Sequence, residues 1–84
     1  MDEKTSLFNI DEIEDALISR TLDDVYEALA EKGYNPIHQM VGYLISGDPG
    51  FISSYRDARS KLTEHDRTKL LITILKGYLE RWDI

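Results

Sequence analysis

The chain has 84 residues, 42% hydrophobic and 31% charged, with a net charge of −6 and no cysteine. That bounds it to one small domain without disulfides or thiolate metal sites, and no run of residues is apolar for long enough to span a membrane. A core this small stabilises a lone monomer only modestly, so a second subunit is expected.

Residues 1–10, MDEKTSLFNI, show no helical periodicity and no apolar run of signal-peptide length. They read as a flexible N-terminal tail on a cytoplasmic protein. Within the tail, Thr5 and Ser6 stand between Asp2 and Glu3 on one side and Leu7 and Phe8 on the other. A solvated terminus with hydroxyls is the kind of segment that a kinase threads. Residues 11–84 read as a single all-α domain, a compact bundle of about five helices.

From Asp11, the residues Ile13, Leu17, Ile18, Leu22, Val25, Ala28 and Leu29 recur at helical spacing. Gly33 is placed to end this helix, and Thr21 is a candidate internal cap that divides it. Asn35-Pro36 is the clearest start signal, a side chain that accepts early amides followed by a residue without an N–H. Ile37, Met40, Val41, Leu44 and Ile45 then form an apolar stripe. Asp48-Pro49 repeats the cap-then-proline device, so 46–50 reads as a tight corner between helices. A short turn through Phe51 and Ile52 and a helix from about Tyr55 to Leu62 follow. Thr63 and Asp66 have the spacing of a capping box. The last helix is expected to run to about Arg81, burying Leu70, Leu71, Ile74, Leu75, Tyr78 and Leu79.

None of this assembles an active site. The corner at 46–50 lacks the spacing and the lysine of a phosphate loop, and Asp48 occupies the place of an anion. His38 and His65 stand in no metal-ligand pattern, and no carboxylate pair has an obvious pocket to separate its pKa values. No enzyme activity, metal or cofactor is expected. Arg56, Arg59, Lys61, Arg67 and Lys69 form a basic cluster interleaved with Asp57, Glu64 and Asp66. Helix, turn and helix keep a helix-turn-helix nucleic-acid binder open as the alternative reading. The acidic first half, where Lys4, Arg20 and Lys32 are the only bases up to residue 35, argues against it. Nucleic acid and membrane are not expected partners.

The stretch LDDVYEALAEKGYNPIHQMVGYLISGDPGFISSYRDAR, residues 22–59, resembles the IreB (ReoM-like) family of small regulatory phosphoproteins of Gram-positive bacteria. The motifs that carry the resemblance are Glu31-Lys32-Gly33-Tyr34-Asn35-Pro36, Gln39, Val41-Gly42-Tyr43, Ser46-Gly47-Asp48-Pro49 and Asp57-Ala58-Arg59. The resemblance implies a helical homodimer with a phosphorylated tail, substrate of a PASTA-type Ser/Thr kinase and its phosphatase. It implies Thr5 as the acceptor and control of cell-wall (peptidoglycan precursor) synthesis and antibiotic tolerance. The implied partners include a peptidoglycan-precursor enzyme or its protease, and Arg56, Asp57 and Arg59 are the candidate partner-binding residues. The phosphorylated tail is expected to stay free rather than to dock on Arg56, Arg59 and Lys61.

Overall fold

The computed structural model describes residues 10–81, and all of the regular structure there is helical. Four α-helices run α1 (Ile10–Glu31), α2 (Pro36–Ser46), α3 (Ala58–Thr63) and α4 (Arg67–Leu79). Two single 3-10 turns, Pro49–Phe51 and Tyr55–Asp57, lie between α2 and α3. The helix expected around Phe51 is therefore one 3-10 turn, and the Tyr55–Leu62 helix splits into a 3-10 turn and α3. Thr5 lies outside the described residues.

α1 is the spine. Ile18, Val25, Ala28 and Leu29 make its buried face, and α2, α3 and α4 all pack along it. The core joins these to Tyr43, Ile52, Ala58, Leu62 and Leu70, with Leu22, Met40, Leu44 and Tyr55 packed around them. Complete burial of each large aliphatic among these is worth about 1.5–3 kcal/mol. Five such side chains, Val25, Leu29, Ile52, Leu62 and Leu70, are essentially sealed from solvent.

The helix ends follow from local chemistry. Beyond α1 the amide of Gly33 donates to Ala30 O and that of Tyr34 to Leu29 O, both at 3.0 Å. This closing pattern needs a left-handed residue, and Gly33 supplies it at φ 93°. Asn35 Oδ1 then accepts from the His38 amide at 3.1 Å, and Pro36 opens α2. The same device recurs where Asp48 Oδ1 accepts from the Gly50 amide at 2.8 Å. α4 is capped by Asp66, which accepts from the Lys69 amide.

Several expectations are corrected here. α1 passes unbroken through Thr21, whose hydroxyl bonds His65 Nε2 at 3.1 Å. Thr63 does not cap α4; it ends α3 and donates back to Arg59 O. His65 lies in the α3–α4 turn. The largest correction concerns burial. Of the six apolar α4 residues expected in the core only Leu70 is buried, with Thr73 beside it. Leu71, Ile74, Leu75, Tyr78 and Leu79 are exposed, as are Ile13 and Leu17 on α1 and Ile37, Val41 and Ile45 on α2. The pattern that marks a helix also marks a face for a neighbour, and a single chain has too little opposing surface to cover every stripe.

Candidate functional site

Three surfaces have the ingredients of a site: the corner that gathers the signature motifs, the seam between α1 and α4, and the exposed apolar stripes. The corner comes first because its residues were singled out in the sequence. Glu31 Oε1 accepts from the Tyr55 hydroxyl at 2.7 Å and from Arg56 Nη1 at 3.4 Å. Lys32 Nζ lies 5.1 Å from the centre of the Tyr55 ring. The Tyr55 hydroxyl, with Arg56 adding to it, holds the Glu31 carboxyl below its ordinary range. The same contact pushes the Tyr55 phenol up.

Arg56 and Asp57 both have left-handed backbone, at φ 53° and 62°. A non-glycine residue there costs about 1–2 kcal/mol, and Asp tolerates it better than Arg. The bend is held by the Asp57 amide on Ser54 O and the Arg59 amide on Ser53 O. Arg59 Nε also donates to Ile52 O at 2.8 Å, while Ala58 is buried between the two exposed residues Asp57 and Arg59. The structure thus brings Arg56, Asp57 and Arg59 together on one exposed bend.

The remaining signature residues shape the α2 end of this region. Gln39 Nε2 donates to Phe51 O at 2.9 Å. A Cβ on Gly42 would stand 2.5 Å from the Phe51 ring, so glycine there lets the ring lie on the helix backbone. Tyr43 is buried, whereas Tyr34 is exposed. Gly47 closes α2 at φ 76°, and a Cβ on it would meet the Arg67 guanidinium at 2.8 Å. Arg67 Nη1 donates to Leu44 O, a cation at a helix C-terminus. Pro49 opens the following 3-10 turn.

Along the seam, Asp15 accepts from the Thr73 hydroxyl at 3.0 Å and from Lys76 Nζ at 2.6 Å. Glu14 pairs with Lys69 at 3.4 Å. Lys76, and secondarily Thr73, holds the Asp15 carboxyl below its ordinary range, and Asp15 raises Lys76 in turn. No sequence pattern foretold these contacts, since partners 55 to 61 residues apart leave no local spacing to read. With Arg56–Glu31 and Lys61–Asp24, they make α1 an acidic strip that holds bases of the second half. Arg56, Lys61 and Lys69, three members of the basic cluster, are therefore already engaged by carboxylates. That is poor geometry for gripping a nucleic-acid backbone.

Among the described residues no group of three or more His, Asp or Glu side chains is placed to hold a metal. No helix there is long and apolar enough to cross a membrane. What the described residues offer is exposed side-chain surface on a small helical scaffold. A family model described as IreB regulatory phosphoprotein matches residues 3–80. That covers nearly the whole chain, and the protein belongs to the IreB family.

Proposed function

We propose that this is a non-enzymatic regulatory phosphoprotein, phosphorylated on Thr5 by a PASTA-type Ser/Thr kinase in the cytoplasm and reset by a phosphatase. The observation that carries this reading is the family match, which begins at residue 3 and so includes Thr5. Its output is control of peptidoglycan-precursor synthesis through contact with a precursor enzyme or its protease. The exposed bend at Arg56, Asp57 and Arg59 is the proposed contact region for that partner.

The working unit in this proposal is a homodimer. Its support is the apolar surface that one chain leaves uncovered. Leu71, Ile74, Leu75 and Tyr78 stand at i, i+3, i+4 and i+7 on α4, and Ile45 on α2 is 78% exposed. Arg67 ties the start of α4 to the end of α2, so the two helices approach at one end. An uncovered apolar surface of this kind suits a two-fold interface.

The test is phosphorylation in a purified system with a PASTA-type kinase domain, followed by site mapping. One phosphate on Thr5, absent from T5A and removed by the cognate phosphatase, is the expected result. Modification elsewhere, or none, refutes it.

A further inference from the structure

Residues 51–63, FISSYRDARSKLT, contain no glycine and no proline. Arg, Ala, Lys and Leu are good helix formers, so residues 55–63 taken alone favour one continuous helix. Ser54 and Asp57 even have the spacing of a capping box for it, with Asp in place of Glu. The backbone instead turns left-handed at two successive residues, Arg56 and Asp57. Ser54 then makes no side-chain cap, and α3 starts at Ala58 without one from Asp57. A local preference overruled twice in succession is held by contacts from outside the segment.

Those contacts flank the bend. After it, Ala58 and Leu62 are anchored in the core, and Arg59 Nε donates to Ile52 O. Before it, the end of α1 fixes Tyr55, whose hydroxyl donates to Glu31 Oε1 while Lys32 lies over its ring. The same Glu31 oxygen accepts from Arg56, the first left-handed residue. We propose that Glu31 is the latch of a two-state segment. With Glu31 engaged, the chain bends at Arg56 and Asp57; with Glu31 released, both residues become right-handed and α3 lengthens back to Tyr55. The inference concerns the segment itself and stands apart from Thr5 and from the partner proposed for the bend.

The lengthened helix has its own gains. It relieves the left-handed backbone, and it gives Ser54 a helix start to cap. Asp57 and Lys61 become an i, i+4 pair with the acid nearer the N-terminus, the favourable order. What it gives up are the contacts of Tyr55 and Arg56 with Glu31, made where both charged side chains are solvent-accessible. Small terms therefore oppose small terms, the condition for a segment that can be switched. Successive helical residues point about 100° apart, so lengthening carries Asp57 away from Arg56 and Arg59. The exposed bend that gathers the three belongs to the latched state.

The test is NMR of the full chain, read through the intraresidue amide-to-Hα NOE, which is strong at positive φ and weak in a right-handed helix. The wild type is expected to show strong NOEs at Arg56 and Asp57. E31A, which removes both contacts at once, is expected to lose them and to gain helical shifts across residues 55–63. Y55F removes only the hydroxyl and keeps the packed ring, so it gives the same reading if E31A does not fold. Adding D57G to E31A favours the left-handed state, because glycine adopts it without a Cβ penalty and weakens the helix. The strong NOE at Arg56 is expected to return. Strong NOEs that persist at Arg56 and Asp57 in E31A and Y55F alike, or a loss that D57G does not reverse, would overturn the proposal.

Discussion

Replacing Gly47 by alanine probes two features at once, the left-handed end of α2 and the seat of Arg67. At φ 76° a Cβ is strained wherever it points, at a cost of about 1–2 kcal/mol. The new methyl also lands 2.8 Å from the Arg67 guanidinium, so the arginine must leave Leu44 O, a contact worth about 0.5–1.5 kcal/mol. The sum is about 1.5–3.5 kcal/mol. For a chain this short, that lowers Tm by roughly 6–28 °C at fixed protein concentration. A double-mutant cycle with R67A separates the contributions. In that background G47A is expected to cost only the backbone part, leaving a coupling of about 0.5–1.5 kcal/mol. Calorimetry of the four proteins measures it. A G47A protein as stable as wild type, or costs that add without coupling, would refute the account of this corner.

A charge on the α4 stripe, in the double variant L71E/L75E, is expected to give a chain of about 9.7 kDa by light scattering, with helicity intact and the wild type at twice that mass. D15N is expected to be less stable than wild type at neutral pH. Because the folded Asp15 carboxyl is depressed, its contribution is complete above its ordinary 3.8 and fades as the pH falls through the lower folded value. Acid titration of both proteins should therefore show the gap closing below that point. Y55F removes the hydroxyl that depresses Glu31, so the Glu31 titration followed by carbon NMR should move up toward its ordinary 4.5.

The capping residues were legible in the sequence because their chemistry is local. Gly33, Asn35-Pro36, Gly47 and Asp48-Pro49 each act within a few residues of themselves, and each end of α2 falls where they place it. Helical periodicity was equally legible, but it does not say which stripe faces inward. Leu71 and Leu75 carry the same signal as Leu70, yet only Leu70 is buried in the core. Thr21 was misread because a threonine followed by two aspartates looks like a cap. Its hydroxyl instead meets His65 across 44 residues. The Lys76–Asp15 and Tyr55–Glu31 contacts depend on tertiary placement and have no local spacing to betray them.

The central claim is that this small helical protein is a phosphorylation-controlled regulator acting through Thr5. Site mapping of the chain isolated from cells of its host, with and without the PASTA-type kinase, tests it most directly. The account predicts one phosphate, on Thr5, present only when the kinase is active. An unmodified Thr5 in kinase-positive cells, or a Thr5 phosphate that persists without the kinase, would contradict it.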